Sequence, residues 1–305
     1  MEGGSGNGAS AARIRADVEA LAGERHPGSS PRALEAALVH VEERLASLGL
    51  EPRRHPFTYR RRRYENVVAL QPGRDPSAPR VLVGAHVDTM PGTPGADDNA
   101  SGVAGMLEAA RLLEGFRGEA PVEWAAFNLE ELQALRVPGY RIGSRRFAAH
   151  ARRSGVRYRG ALVLEMIGYR SGEPGSQRIP LPIRWMDLRR TGDYLAVIGD
   201  TRSRPLLDTF RAAAAAAVPD LPVVTFHSPL RGWLVWATRR SDNASFWSEG
   251  YPALMLTDTA DLRNPHYHRR SDLPPTLDYD FAAAVTDALI ETVRRLAESG
   301  RDARR

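Results

Sequence analysis

The sequence predicts an α/β fold: a three-layer α/β/α sandwich around one central, mostly parallel (mixed) sheet. Three observations carry that expectation. Strand-like and helix-like segments alternate along most of the chain, the pattern of parallel strands joined by crossover helices. Several strand candidates are short, continuously apolar runs, as in strands covered on both faces. With 305 residues, 42% of them hydrophobic and 26% charged, the chain is large enough to bury a sizeable core.

The elements follow in order. Residues 1–12 are Gly/Ser-rich and read as a flexible leader, and residues 13–300 as a single domain without internal repeats or a linker. Ser30-Pro31 opens a helix, serine as cap and proline in the first turn, and Gly49 closes it. Between them Leu34, Ala37, Leu38, Val41, Leu45 and Leu48 recur at helical spacing. Strands are expected at 57–62, 66–70 and 81–85, the last apolar enough for a central position. A helix over 101–113 aligns Val103, Met106, Leu107, Ala110 and Leu113 on one face. Residues 122–127 form another apolar strand, 147–153 part of a helix and 161–167 a further strand. Residues 170–190, rich in Gly, Pro and Arg, read as a long surface excursion. Strands at 194–198, 221–226 and 251–257 and helices at 205–217 and 281–296 complete the pattern.

Composition removes several function classes. There is no cysteine, which excludes disulfides, thiolate catalysis and cysteine-bound zinc, so any metal site must use His, Asp and Glu. The formal net charge is +5, yet all 42 Lys/Arg positions are arginine, as a genome-wide bias would produce. The densest internal run, Arg60 to Arg63, lies among β-forming residues without interleaved aromatics, so it reads as a solvated edge and not as a nucleic-acid surface. No stretch approaches the roughly 18 apolar residues of a membrane span, and the first residues lack the apolar core of a signal peptide. Cytoplasmic residence, with no nucleic-acid or membrane partner, is the default expectation.

The informative segment runs from residue 81 to 102. An apolar strand leads into His86 and Asp88, and ligands in open α/β sheets bind beyond the carboxyl ends of strands. Two residues apart on a strand end, His86 and Asp88 point the same way, so the Asp is placed to accept the second ring N–H of a metal-bound histidine. A Gly/Pro-rich loop then delivers Asp97 and Asp98. Taken alone, Asp97, Asp98, Asn99 and Ser101 equally suit helix capping, and Glu130-Glu131 after the next strand suit a solvated helix start. Glu165 changes the balance: it lies inside an otherwise apolar strand, where an unpaired carboxylate is costly to bury. Acids from three strands on one rim repel unless cations neutralise them. A divalent metal resolves the conflict, and oxygen and imidazole donors suit zinc with an open catalytic position. A second histidine comes from the loop carrying His266 and His268; His26, His40, His55, His150 and His227 lack such context and read as surface or packing residues.

These residues resemble the di-zinc exopeptidases of metallopeptidase clan MH, which include bacterial aminopeptidases, glutamate carboxypeptidase II and the glutaminyl cyclases. The strings AHVD, PGADDNASG, NLEE, LEMIGY, the SDN of Ser241 to Asn243, and NPHYHRRSD carry the likeness. Each is weak alone; together and in this order they are specific, and the likeness spans most of the chain. It implies the zinc-exopeptidase (phosphorylase/hydrolase-like) type of sandwich and two Zn2+ per chain. In it Asp98 would bridge the ions, His86 and Glu165 would complete one site, and Glu131 and His268 the other. Asp88 would orient His86, and Glu130 would be the general base. The four-residue spacing to Asp272 selects His268 over His266. The family often has a cis peptide after the bridging aspartate, here Asp98–Asn99.

Four departures from the pattern stand out. Glu165 occupies a position that is Asp in many members, and Asn243 replaces a histidine. Thr238 stands where some aminopeptidases have an oxyanion-stabilising tyrosine, leaving His227, Arg239 or Arg240 as substitutes. The stretch between Glu131 and Gly143 is long. The function expected is a zinc-dependent aminopeptidase acting on a peptide or amino-acid amide, with homo-oligomerisation left open. The alternatives are a glutaminyl-peptide cyclase of the same fold and an inactive binding or scaffold member, which Asn243 and the absent tyrosine favour. Trp233 and Trp236 read either as an apolar wall of the specificity pocket or as packing or oligomer contacts.

Overall fold

The structure, a computed structural model, describes residues 8–131 and 141–299. Eight strands form one mixed sheet in the order β1-β2-β4-β3-β5-β8-β6-β7. They are β1 Arg53–Tyr59, β2 Arg62–Gln71, β3 Arg80–His86, β4 Val122–Phe127, β5 Tyr158–Glu165, β6 Leu195–Asp200, β7 Val223–Ser228 and β8 Ala253–Thr257. The four central strands, β4, β3, β5 and β8, are mutually parallel. Antiparallel pairings attach β2 to β4 at one side and β6 to β8 at the other.

Among the described residues, seven α-helices cover the sheet: α1 Ala11–Leu21, α2 Pro31–Ala46, α3 Gly102–Leu112, α4 Ile142–Arg153, α5 Arg204–Ala217, α6 Asn243–Ser248 and α7 Tyr279–Glu298. The period-2 alternation of the strands divides the core in two. Val81, Val83, Leu162 and Leu164 face one way and pack with α1, α2, α3, α5 and α7. Leu82, Ala161 and Val163 face the other and pack with α4 and α6, around Phe127, Phe246 and Trp247. Both faces of the central strands are therefore dry, each fully buried large side chain contributing about 1.5–3 kcal/mol.

Two expectations are corrected here. Residues 11 and 12 are not leader but the first turn of α1, whose cap Ser10 accepts from the Arg13 N–H. The main-chain N–H groups of Ala9 and Ser10 donate to Asp287 and Glu108 at 2.7 and 2.9 Å, and Ile14, Val18 and Leu21 are buried. The rest of that stretch, 1–7, lies outside the described residues. The strand expected at 57–62 ends at Tyr59: Arg60 and Arg61, at φ 48° and 65°, form a two-residue hairpin turn into β2. The arginine run is thus an exposed hairpin tip. Short α6 was not expected; its six residues are too few to show a helical stripe. No described helix is long and apolar enough to cross a membrane.

Because β3, β4, β5 and β8 run in parallel, their carboxyl ends open on the same edge of the sheet, where His86, Glu130, Glu131 and Glu165 emerge. Gly84 of β3 lies opposite Val163 of β5, which puts His86 level with Glu165.

Candidate metal centre

Each strand exit is shaped by a local device. Leu129 and Met166, next to Glu130 and Glu165, take left-handed backbone conformations at φ 58° and 52°, turning the chain sharply as it leaves the sheet. The loop from β3 to α3 is stitched to the end of β5. Asn99 Nδ2 donates to the Leu164 carbonyl at 2.9 Å, and its Oδ1 accepts from Met166 N–H at 3.0 Å. Ser101 Oγ accepts from Ile167 N–H, and Asp97 Oδ1 from Gly168 N–H. These side chains bind the neighbouring strand exit; neither Asn99 nor Ser101 caps its own helix, as the local reading allowed. The Asp98–Asn99 peptide is cis.

Asp98 lies at the middle of the cluster. Its Oδ1 is 3.3 Å from His86 Nε2, and its Oδ2 is 3.2 Å from His268 Nε2. His86 Nε2 is also 3.4 Å from Glu165 Oε2, and His268 Nε2 is 2.7 Å from Glu131 Oε1. The structure thus brings His86, Asp98, Glu131, Glu165 and His268 to one place, as two triads sharing Asp98. His266 is turned away, its Nδ1 3.0 Å from Ser271 Oγ. Glu130 adjoins the cluster with its Oε1 buried and without a hydrogen-bond partner.

Asp88 is placed differently from the sequence expectation. Its main-chain carbonyl, not its carboxylate, accepts from His86 Nδ1, at 3.1 Å. The carboxylate, 3.8 Å from that nitrogen, accepts the N–H groups of Glu130 and Glu131 at 2.9 and 3.0 Å. The Asp88 carboxylate thus holds the main chain of the paired glutamates.

Several supporting residues were not singled out from the sequence. Ser241 Oγ donates to Glu165 Oε2 at 2.5 Å. Asp272, read only as a spacing marker, accepts the N–H groups of Asp97 and Asp98 at 2.8 and 3.1 Å, tying the His268 loop to the Asp98 loop. Arg25, buried, donates to the carbonyls of Leu21, Gly23, Val87, Pro94 and Gly95 and so lashes down the loop between His86 and Asp98. A guanidinium reaching five carbonyls depends on loop shape and leaves no spacing signal. His227, on β7 and offered as an oxyanion partner, instead faces Thr201; Arg239 and Arg240 do line the recess beside the cluster.

The electrostatics are those of a site built for cations. Burial, opposed by the charge of His86 but reinforced by Glu131, Asp242 and Glu165 nearby, pushes Glu130 well above the usual carboxylate range. Burial and the Asp98 charge push Glu131 up to about 8, and burial raises Asp242 to about 7. Burial alone would pull both histidines down, but Glu165 and Asp98 hold His86 well above its ordinary value. Asp98 and Glu131 likewise raise His268 to about 10. Asp98, despite burial, is held far below its ordinary value by the two imidazoles. The donors fit a divalent ion. His86 Nε2 and Asp98 Oδ1 are buried without a hydrogen-bond partner, and the separations of 3.3 and 3.4 Å around His86 and 3.2 Å from His268 to Asp98 match a tetrahedral ion with bonds of about 2.0–2.1 Å, whereas His268 and Glu131 lie closer, at 2.7 Å.

Comparison with known proteins gives the family of the chain. The chain is 32% identical over 293 residues to the uncharacterized protein YfbL of Escherichia coli K12, covering 92% of this chain and 87% of that one. It is 29% identical over 245 residues to leucine aminopeptidase 1 of Trichophyton equinum, across 76% of this chain but only 58% of that protein. Its fold matches the crystal structure of LapB from Legionella pneumophila with a TM-score of 0.73 at 20% identity, covering 95% of this chain and 73% of that one. It also matches Porphyromonas gingivalis glutaminyl cyclase with a TM-score of 0.69 at 20% identity, over 95% and 98% of the two chains. The sequence model of peptidase family M28 matches residues 66–293, and the chain belongs to that family.

Proposed function

We propose that this chain is a zinc-dependent exopeptidase, an aminopeptidase removing N-terminal residues from peptides or amino-acid amides. The observation that carries the reading is Asp98, whose two carboxylate oxygens each face a different histidine-acid pair, at 3.3 Å from buried His86 and 3.2 Å from half-buried His268. His86, Asp98 and Glu165 would hold one zinc, and Asp98, Glu131 and His268 a second. Bound there, zinc lowers the pKa of a held water towards about 7 and polarises a carbonyl as a Lewis acid. The relative of Leptosphaeria maculans described as a probable zinc metalloprotease, 26% identical over 298 residues, supports the choice of metal.

The chain's own residues supply the rest. Glu130, buried beside the cluster and not paired with any cation, is placed to take a proton from the attacking water. The water oxygen adds to the scissile carbonyl carbon, the C–N bond breaks, and Glu130 returns the proton to the departing nitrogen. Asp88 fixes Glu130 by holding its main-chain N–H at 2.9 Å. Ser241 orients Glu165.

Hydrolysis of amino-acid p-nitroanilides, with and without a chelator, tests the reading. Chelator-sensitive turnover is expected. Its absence on every N-terminal residue would overturn the peptidase assignment. Ammonia release from glutaminyl peptides would point to a cyclase, and a metal-free, inert protein to a scaffold.

A further inference from the structure

Beside the cluster lies a recess lined by Glu130, Glu131, Glu165 and His268 together with Arg141, Arg239 and Arg240. Arg240 is engaged: it donates to Asp261 Oδ1 at 2.5 Å and to the Tyr267 hydroxyl at 2.9 Å. The other two arginines are not neutralised in this way. Arg239, only 5% exposed, is stacked 4.2 Å over the Trp233 ring and donates to the Arg231 carbonyl and to Ser248 Oγ, both uncharged. Arg141 makes one long side-chain bond, 3.4 Å to the Ser241 carbonyl. The Nε of each is buried and has no hydrogen-bond partner.

An unpartnered buried donor is costly, more so on a charged group, and two guanidinium groups lining one recess repel each other. Burial, with Arg141 and Arg231 as its charged neighbours, pulls Arg239 below its ordinary value. Arg141 is pulled down by burial even though Glu130 and Asp242 are near. One anion between the two arginines offsets their mutual repulsion, and guanidinium geometry favours a planar carboxylate.

On the other side of Glu165 opens a second pocket of opposite character, lined by Ile183, Leu188, Ile198, Phe226 and Met255. It shares Glu165, Arg240 and Tyr267 with the recess, so a ligand can span both. We propose that Arg141 and Arg239 form a carboxylate-binding subsite, which makes short peptides with a carboxylate next to the scissile bond and an apolar residue before it the preferred substrates. The substrate rests on the peptidase reading; the anion subsite itself does not.

The carboxylate can come from a chain terminus or from an acidic side chain, and binding separates the two. Calorimetry on the zinc-loaded chain uses uncleavable reduced-bond analogues of Leu-Gly, Leu-Gly-amide and Leu-Asp-amide. The expected result is that at least one acid analogue binds about tenfold or more tightly than Leu-Gly-amide. Whichever acid gains identifies the source. Arg141→Gln and, separately, Arg239→Gln should bring that ratio close to one while leaving affinity for the amide unchanged. A wild-type ratio within about twofold, a ratio that survives in both variants, or no binding by any analogue overturns the subsite. Rates on the matching peptides separate the two readings. Selective binding without cleavage keeps the subsite and removes the peptidase, and cleavage without acid selectivity does the reverse.

Discussion

At the scale of single residues, the cluster assigns different work to chemically similar groups. Glu130 and Glu131 are neighbours in sequence, yet Glu131 lies 2.7 Å from His268, whereas Glu130 Oε1 has no partner. Replacing Glu130 with Gln keeps the shape and removes the proton acceptor. Turnover should fall by about 10²–10⁴-fold while bound zinc stays at the wild-type level, read by steady-state kinetics and elemental analysis on the same sample. The two loop histidines offer a parallel contrast. His268→Ala should lower zinc content, whereas His266→Ala should leave it unchanged, since His266 bonds only within its own loop. Equal zinc loss in both would mean that the ligand set is misassigned.

At the scale of elements, the site depends on loops that the strands alone do not position. Arg25 joins the end of α1 to the loop after β3 through the carbonyls of Leu21, Val87 and Gly95, and burial pulls its guanidinium down to about 10. Arg25→Met should cost about 3 kcal/mol, because several buried carbonyls lose their donor. The loss would be seen as a lower urea midpoint, accompanied by weaker zinc binding; an unchanged midpoint would show the loop to be held by other contacts. This level was the least legible from sequence. The central strands announced themselves as apolar runs, and Glu165 drew attention because it lay inside one of them; β1, with the sequence RRHPFTY, was legible only in its last three residues. The Arg60–Arg61 turn was not legible, since it contains neither the Gly nor the Asn that normally marks such a hairpin. The first turn of α1 was hidden by the Gly/Ser composition preceding it. Spacing shows which way the Asp88 side chain leaves its strand, but not that the main-chain N–H groups of Glu130 and Glu131 fold back to meet it. The long stretch after Glu131 falls at 132–140, outside the described residues.

At the scale of the whole molecule, the parallel centre of the sheet forces acids from β3, β4 and β5 onto one edge, and stability should register that concentration of charge. Without metal, Glu131 and Asp242 are raised to about 8 and 7, so the folded chain holds protons that the unfolded chain has released above about pH 4. Their contribution to stability is present at low pH and lost as pH rises to 7–8. His268, raised to about 10, adds a loss in the same direction between about 6.5 and 10. Asp98 works oppositely but only in strong acid, because its carboxyl is already ionised above that range. Metal binding replaces those protons, so the rise in melting temperature on adding zinc to chelated protein should be larger at pH 8 than at pH 5. An equal rise at both would show that the acids are not the zinc-binding groups.

The most direct measurement is an anomalous difference map, collected at the zinc absorption edge on crystals grown with zinc. The account predicts two peaks flanking the Asp98 carboxylate, one against His86 and Glu165 and the other against Glu131 and His268. No peak within bonding distance of Asp98, with zinc absent or bound only elsewhere, would contradict it.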